Sequence, residues 1–307
     1  MTDWRGTTPL RGTTPLRGTT PSRGTTPAVC ALVLAAGEGT RLRPLTESIP
    51  KPLCPVGNVA LLDRALARLA QHGLAGPALV AVNASYLAEQ IEGHVGSRAQ
   101  VRVEPGGPLG TAGGVANLRD WIAGRGVLVG NSDAYLAPAA GDPRRDLAPL
   151  LDGWDGETVR ILTVPAGDRW AEFKTPDGPL RSAGFTLMPW SVVRTLRAER
   201  GDLVREVWRP AEADGRLELV PYAGAYLDSG TLRDYLEANL HAAAGGAMIA
   251  VDATVTGSVE RAVIGAGARI EGKVNRAVVW PGGYVGPDET LTDAIRVGAA
   301  LTVPAHG

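Results

Sequence analysis

Lysine and cysteine are scarce in this chain. Of its 307 residues, 31 are lysine or arginine, yet lysine occurs only at positions 51, 174 and 273. The two cysteines, Cys30 and Cys54, form no disulfide framework and have no zinc spacing, so we expect two reduced thiols. The four histidines also lack the spacing of metal ligands.

The chain also lacks a strong charge of either sign and any long apolar run. Its net charge is −1 and the charges are spread along the sequence, which argues against binding to nucleic acid. No run approaches the roughly 20 apolar residues of a membrane span, and the first residues lack the apolar core of a signal peptide. We therefore expect a cytoplasmic protein without a membrane partner.

The N-terminal region repeats a six-residue unit, R-G-T-T-P-L, four times with small changes. The unit has at most one apolar side chain besides proline and could not bury a core. We expect residues 1–27 to be a disordered repeat tail. The alternative is a peptide ligand for another protein.

The most informative stretch runs from Cys30 to Val56. Its apolar start, Cys30 to Ala36, predicts a strand buried on both faces of a parallel sheet. Gly37 and Gly39 then predict a turn whose backbone amides are open to phosphate oxygens. Neither the dinucleotide fingerprint nor the P-loop fits, because positions 42 to 44 are Leu-Arg-Pro.

Two cations follow this turn. Arg41 comes directly after it, and Lys51 lies between two prolines. Since the chain strongly favours arginine, a lysine at this position suggests a site that needs a compact ammonium group. The alternative for Arg41 is an ordinary exposed loop charge.

This stretch resembles the signature of the sugar-phosphate nucleotidyltransferases, L-A-A-G-x-G-T-R-L-x-P-L-T followed by P-K-P. The family includes NDP-sugar pyrophosphorylases such as mannose-1-phosphate guanylyltransferase. The resemblance implies an α/β fold, with a Rossmann-like nucleotidyltransferase domain and a mostly parallel sheet. It also implies catalytic roles for Arg41 and Lys51, and nucleotide binding by Leu34, Ala35, Ala36, Gly37, Gly39 and Thr40.

A second glycine-rich loop, E-P-G-G-P-L-G-T-A-G-G, follows the predicted strand Val101–Glu104. Its glycines stand where a helix begins, so amides would face the edge of the sheet. The loop resembles the family segment around the base and ribose, which implies nucleotide binding by Glu104, Gly110, Thr111, Ala112 and Gly113. Glu104 favours guanine. The alternative is a helix start with packing glycines.

Two aspartates complete the predicted site. Asp133 follows the predicted strand Val127–Gly130, where open α/β sheets bind ligands, although a helix cap is the alternative. Asp228 stands in L-D-S-G-T-L, which resembles the closing family motif; Leu232 replaces its usual proline. The resemblance implies that Asp133 and Asp228 are catalytic and bind Mg²⁺.

The chain departs from the family between these aspartates. Relatives carry a Glu-Lys-Pro segment whose lysine contacts the sugar phosphate, and this segment is absent here. The following S-A-G-F-T-L-M-P is present, so Gly184 is a predicted sugar-phosphate residue. Lys174 or Arg181 is the candidate replacement cation, although a lysine on a hairpin is usually solvated.

The composition changes again near Met248. Ile264 and Ile270, then Val279 and Val285, recur at six residues with glycines between them, which is typical of hexapeptide β-helix turns. We expect a short C-terminal left-handed β-helix that packs on the catalytic domain or links subunits into a homo-oligomer. The predicted domains are therefore 28–245, nucleotidyltransferase, and 246–307, β-helix.

Taken together, the resemblance predicts a Mg²⁺-dependent enzyme that joins a nucleoside triphosphate and a sugar 1-phosphate to give an NDP-sugar and pyrophosphate. GTP and mannose 1-phosphate are one candidate pair, but the motifs do not specify base or sugar. The missing Glu-Lys-Pro leaves a non-catalytic NDP-sugar-binding regulator open. A nucleotidyltransferase for a non-sugar phosphate such as phosphocholine is the other alternative.

Overall fold

The computed structural model of the protein describes residues 28–138 and 146–305, so the predicted repeat tail, 1–27, lies outside the described residues. The strands are β1 Val29–Leu34, β2 Pro55–Val56, β3 Val59–Ala60, β4 Val80–Ala84, β5 Gln100–Val103, β6 Gly126–Asn131, β7 Ala134–Ala137, β8 Val159–Pro165, β9 Phe173–Thr175, β10 Gly178–Met188, β11 Leu217–Pro221, β12 Ala225–Asp228, β13 Met248–Ile249, β14 Thr254–Val255, β15 Ser258–Glu260, β16 Val263–Ile264, β17 Arg269–Ile270, β18 Lys273–Val279, β19 Tyr284–Val285, β20 Thr290–Val297 and β21 Leu301–Pro304.

Short helices connect these strands. They are α1 Leu61–Ala70, α2 Ala88–Val95, α3 Gly110–Asn117, α4 Arg119–Ile122, α5 Ala148–Leu151, α6 Trp190–Val193, α7 Arg209–Ala213 and α8 Leu232–Ala242. A π-helical turn, Val204–Trp208, runs directly into α7. Among the described residues, no helix has the length and apolar character needed to cross a membrane.

The central sheet is mixed, with most of its neighbours parallel. Its strand order is β11-β8-β10-β6-β1-β4-β5, and β9 pairs with β10 at the side. Strand β1 is parallel to both β4 and β6, and β8 is parallel to β11. The exception is β10, which lies antiparallel between β6 and β8 because it returns from the hairpin with β9. Pro176 and Asp177 form the turn of that hairpin.

The apolar run of β1 is buried on both faces, as the sequence predicts. Ala31 and Val33 belong to one hydrophobic cluster, and Cys30 and Leu32 belong to another on the opposite face of the sheet. The first cluster also receives the apolar sides of α1 and α2. The second receives those of α3, α4, α6 and α7. Helices therefore cover both faces, which fixes the carboxyl ends of the parallel strands as the accessible edge.

Most of the C-terminal strands pair in parallel with a strand further along the chain, whereas the last two, β20 and β21, pair antiparallel. Met248 stands opposite Val263, which stands opposite Val278. A second row runs from β14 through β17 to β19 in the same way. The four residues that mark the six-residue period in the sequence, Ile264, Ile270, Val279 and Val285, are all buried in one apolar cluster.

Candidate active site

A cavity of about 340 Å³ opens at the carboxyl ends of β1, β4 and β6. This is the edge at which open α/β sheets bind ligands. Its walls are formed by Leu34, Ala35, Ala36, Gly37, Gly39, Thr40, Arg41, Lys51, Pro52, Asn83, Pro108, Gly110, Thr111, Asn131, Ser132, Asp133 and Gly230. We call it the first cavity. It brings together most of the predicted nucleotide residues with three of the four predicted catalytic residues.

The turn after β1 is held against the segment that carries Lys51. Gly39 has a left-handed φ of 65°, a region that disfavours side chains. A Cβ built at Gly39 would lie only 2.9 Å from the Cβ of Lys51. The hydroxyl of Thr46 donates to the Gly39 carbonyl at 2.8 Å. Glycine is therefore required here both for the turn and for close packing on Lys51.

Lys51 and Asp133 form an ion pair at the wall of the first cavity. The Nζ to Oδ2 distance is 2.5 Å, and the side chains are 10% and 32% exposed. The loop of Asp133 is anchored at both sides. The Ser132 amide donates to the Leu34 carbonyl at 3.1 Å, and the Ser229 hydroxyl donates to the Asp133 carbonyl at 2.8 Å.

Asp228 lies close to Asp133, although the two residues are far apart in the chain. Strand β12 pairs antiparallel with β7, so Asp228 stands opposite Ala134, the residue after Asp133. The lack of a side chain at Gly230 allows Arg41 to approach Asp228. A Cβ built at Gly230 would lie 2.9 Å from Arg41 Nη2 and 3.0 Å from Asp228 Oδ1. The missing side chain thus leaves room for the guanidinium and the carboxylate beside each other.

The sequence reasoning did not find Asn83, which organises the wall of the first cavity. Its Oδ1 accepts from the Ala35 amide at 2.7 Å, and its Nδ2 donates to Glu104 Oε1 at 2.7 Å. The Leu109 amide donates to the other oxygen of Glu104, also at 2.7 Å. This chain of hydrogen bonds joins the loop after β1, strand β4 and the loop between β5 and α3. An asparagine inside the apolar strand β4 was the available signal, since a buried amide needs partners.

Three predicted nucleotide residues lie outside the wall of the first cavity. Glu104 is 2% exposed, and both of its carboxylate oxygens accept the bonds just described. Ala112 is buried in the apolar cluster beneath α3. A Cβ built at Gly113 would lie 2.1 Å from the Glu199 carbonyl oxygen, so this glycine allows α3 to pack closely on a neighbouring loop. Their geometry is that of supporting residues.

A second cavity, also of about 340 Å³, adjoins the first and shares Asn131 with it. Its walls are formed by Asn131, Arg169, Trp170, Glu172, Arg181, Ser182, Gly184, Trp208, Tyr226 and Asp228. The predicted sugar-phosphate residues Gly184 and Arg181 are among them. Lys174 is exposed on β9 and lines neither cavity, because the hairpin directs that strand position to solvent. Gly184, with a φ of 83°, lies where the pairing of β10 with β8 shifts register.

Arg181 is the most available cation of the second cavity. Its guanidinium lies 4.7 Å from the centroid of the Tyr226 ring, and none of the described residues forms a hydrogen bond or salt bridge with it. Arg169, in contrast, is tied to Asp234 by two hydrogen bonds. Burial raises the pKa of the Tyr226 phenol, and the nearby charges of Asp228 and Asp133 raise it further.

Comparison with known proteins shows which family this chain resembles. Residues 30–143 match the family of nucleotidyl transferases. The chain is 30% identical over 235 residues to a mannose-1-phosphate guanylyltransferase of Mycobacterium tuberculosis, covering 68% of this chain and 63% of that protein. The chain is therefore similar to sugar-phosphate nucleotidyltransferases, and the similarity extends beyond the N-terminal signature to most of its length.

A further relative and a solved structure show the same similarity over parts of the chain. It is 40% identical over 109 residues to an N-acetylmuramate alpha-1-phosphate uridylyltransferase of Neisseria meningitidis, covering 34% of this chain and 46% of that protein. A UDP-glucose pyrophosphorylase structure from Acinetobacter baumanii superposes with a TM-score of 0.60 at 16% identity, over 70% of this chain and 93% of that one. The chain spans less than two thirds of the length of both curated relatives. The structural match concerns the fold.

The carboxylates at the two cavities fit a divalent cation that binds together with phosphate. Within 28–138 and 146–305, no three His, Cys, Asp or Glu side chains form a metal-binding group. Asp133 and Asp228 supply hard oxygen donors from neighbouring strand ends, with the space left by Gly230 beside them. Mg²⁺ commonly takes one or two carboxylates and completes its shell with water and substrate phosphates. Two aspartates without a third protein ligand fit that pattern.

Proposed function

We propose that this chain transfers a nucleotidyl group from a nucleoside triphosphate to a sugar 1-phosphate, giving an NDP-sugar and pyrophosphate. The observation that carries the proposal is the junction of the two cavities. Asp133 lies in the wall of one, Asp228 lies in the wall of the other, and Arg41 reaches the point between them. Two binding spaces that meet at carboxylates and cations suit the joining of two phosphorylated substrates.

The nucleoside triphosphate is assigned to the first cavity. Gly37, Gly39 and Thr40 offer the open backbone of the turn to the phosphates. Arg41 would offset the charge that develops on the departing pyrophosphate. Lys51 would orient phosphate groups, and its ion pair with Asp133 holds the ammonium in place before the substrate arrives.

The sugar 1-phosphate is assigned to the second cavity. Arg181 would hold its phosphate, which compensates for the missing Glu-Lys-Pro lysine. An oxygen of that phosphate attacks the α-phosphorus, and the bond from the α-phosphorus to the bridging β-oxygen breaks. Since the attacking oxygen is already anionic, no serine, cysteine or histidine is needed as nucleophile.

Asp133 and Asp228 would hold the Mg²⁺ ion. When bound, the ion neutralises phosphate charge and brings the two phosphates together. Lys51 must then share Asp133 with the ion or turn towards the substrate.

GTP and mannose 1-phosphate are the first pair to test, because a relative that aligns over most of this chain carries that name. The uridylyltransferase relative makes UTP the second nucleotide to test. Glu104 favours guanine by resemblance, yet both of its oxygens are already engaged. Base selection is therefore assigned to the cavity wall formed by residues 34–36 together with Pro108, Gly110 and Thr111.

A screen of pyrophosphate release tests the proposal. Five nucleotides are combined with mannose 1-phosphate, glucose 1-phosphate, N-acetylglucosamine 1-phosphate, phosphocholine or no acceptor, with the Asp228→Asn protein as the matched control. We expect release that requires a sugar phosphate and Mg²⁺ and is lost in the control. Release only with phosphocholine would assign a non-sugar acceptor, whereas NDP-sugar binding without release would indicate a regulator.

We further propose that residues 246–307 form a short left-handed β-helix and that residues 28–245 form the catalytic domain. Two rows of strands, β13-β16-β18 and β14-β17-β19, pair in parallel around the apolar cluster that contains Ile264, and this arrangement supports a β-helix. A crystal structure would test its hand, and light scattering of the purified protein would test the predicted homo-oligomer.

A further inference from the structure

The loop that carries Arg41 and Lys51 does not rest on its own domain alone. Its underside belongs to a hydrophobic cluster that contains Leu42, Leu45, Cys54 and Val56. The same cluster contains Val263, Val278, Trp280 and Ile295 from the C-terminal strands, together with residues of α8. We call the C-terminal strands, residues 246–305, the C-terminal coil. The C-terminal coil therefore completes the core beneath the loop.

Hydrogen bonds connect the coil to the backbone just after Lys51. The indole N–H of Trp280 donates to the Tyr235 hydroxyl at 3.0 Å, and that hydroxyl donates to the Pro55 carbonyl. Tyr235 is fully buried and Trp280 is 7% exposed. The Cys54 amide donates to the Lys51 carbonyl at 3.0 Å, which leaves only a short, constrained turn between this contact and Lys51.

Two further contacts hold the same segment. Asn239 on α8 accepts from the Gly57 amide at 3.0 Å, and the side chain of Asn58 donates to the Ile264 carbonyl at 2.9 Å. Asn239 is itself oriented by its bond to the Tyr235 carbonyl. Residues 54–58 are therefore bonded to α8 and to the coil at several points, which leaves the Lys51 turn few ways to shift.

We propose that Tyr235 and Trp280 are positioning residues for Lys51, so that the C-terminal coil takes part in building the phosphate site. The inference rests on the proposed role of Lys51 in orienting phosphates. The buried Tyr235 hydroxyl accepts from the Trp280 indole and donates to the Pro55 carbonyl, so the position of the Trp280 ring restrains the backbone at Pro55. Loss of either bond frees the Lys51 turn, and a displacement of about 1 Å at such a group costs up to about 100-fold in rate.

The test is a double-mutant cycle on kcat/KM for pyrophosphate release. Tyr235→Phe keeps the ring and removes both hydrogen bonds, whereas Trp280→Phe keeps a smaller aromatic ring and removes only the bond to Tyr235. We expect Tyr235→Phe to lower kcat/KM about tenfold or more in the parent protein, but less than about twofold in a Lys51→Ala background. Trp280→Phe should show a smaller loss of the same kind. Equal losses in both backgrounds would mean a merely structural effect and would overturn the proposal.

Arg276→Gln is the matched control. Arg276 also joins the coil to α8, through Glu237 at 2.9 Å and Asp293 at 2.7 Å, but it contacts no residue of 40–58. Because this is a partly exposed ion pair, we expect kcat/KM to change by less than about threefold. If Arg276→Gln lowered kcat/KM as much as Tyr235→Phe does, any weakening of the contact between the coil and α8 would have the same effect. That result would contradict a specific role of Tyr235 and Trp280 in positioning Lys51.

Hydrogen exchange tests the inference without any activity, so its outcome is separate from that of the proposed function. The reporters are the Cys54 and Leu61 amides, which donate to the carbonyls of Lys51 and Cys54. We expect faster exchange of these amides in Tyr235→Phe than in Arg276→Gln. Equal exchange in the two variants would overturn the proposal even if the enzyme is active.

Discussion

At the scale of single residues, the candidate site depends on the pairing of Lys51 with Asp133. The ammonium is almost buried, and the Asp133 carboxylate is its ion-pair partner among the described residues. A buried charge without a partner is costly, so the pair contributes to folding as well as to the proposed chemistry. Within 28–138 and 146–305, the Asp228 carboxylate forms no ion pair within 4.0 Å, although the Arg41 guanidinium lies near it.

The two aspartates should therefore differ in their effect on stability. We expect Asp228→Asn to abolish Mg²⁺-dependent turnover with a nearly unchanged melting temperature. Asp133→Asn should abolish turnover and also lower the free energy of unfolding by about 1 to 3 kcal/mol, because Lys51 loses its partner. Thermal unfolding followed by circular dichroism measures the difference. Adding Lys51→Met to Asp133→Asn should restore stability without activity; an active double variant would refute the assignment.

Arg41 and Arg43 form a natural pair for testing the guanidinium. Arg41 lines the first cavity, whereas Arg43 lies outside its wall and makes only a 3.6 Å contact with Glu38. We expect Arg41→Ala to lower kcat by about 100-fold, as when one transition-state donor is lost. Arg43→Ala should stay within about threefold. If Arg41→Ala lowered kcat by less than tenfold, Arg41 would have no direct role in catalysis.

The two cysteines should be inert in the folded protein. Burial raises the pKa of the Cys30 thiol to about 11 and that of the Cys54 thiol to about 12, from an ordinary value of 9.0. Because a raised pKa leaves less thiolate at pH 8, at most about one thiol in a thousand is ionised. We expect no reaction with a thiol reagent at pH 8 until denaturant is added. Rapid modification of the native protein would contradict this burial.

At the scale of secondary structure, local patterns predicted the elements well and their roles less well. The strand and turn of residues 30–39 and the hairpin at 176–177 follow from apolar runs and turn chemistry. Nucleotide contact by the α3 glycines stays a prediction, with Gly110 in the wall of the first cavity. Gly113 also packs closely on residues 199–201, and this approach cannot be read from a local pattern because those residues are distant in the sequence.

Two helical glycines should respond oppositely to alanine. Gly93 in α2 has no atom within 4 Å of a built Cβ, whereas at Gly113 in α3 the Cβ would lie 2.1 Å from a backbone oxygen. We expect Gly93→Ala to stabilise the protein by about 0.5 to 1 kcal/mol through helix propensity. Gly113→Ala should destabilise it by about 1 to 3 kcal/mol through overpacking. Urea unfolding compares the two, and a neutral Gly113→Ala would contradict the packing.

At the scale of the whole molecule, a single apolar cluster crosses the predicted boundary at 245. It combines Leu42 and Leu61 with Trp280 and Ile295. The predicted division into 28–245 and 246–307 stays a prediction, but the two parts share core residues. The N-terminal part would expose a large apolar surface if it were separated from the rest.

Truncation should therefore damage the N-terminal part. We expect a chain that ends at residue 245 to be less soluble and to melt at a lower temperature than the full chain, because the underside of the 40–56 loop loses its cover. Solubility after expression and a thermal melt measure this. An unchanged melting temperature would show that the coil adds nothing to the core beneath the loop.

The amino-acid sequence alone was enough to predict the resemblance to the family, the buried strand β1, the glycine turn, and Arg41, Lys51 and Asp133 as candidate site residues. These features lie within short stretches whose patterns reflect local backbone and burial requirements. Only the tertiary structure decided that Asn83 and Glu104 form one chain of hydrogen bonds, that Gly230 makes room between Arg41 and Asp228, and that Trp280 reaches Pro55 through Tyr235. Such contacts join residues far apart in the chain, so packing creates them and no local pattern records them.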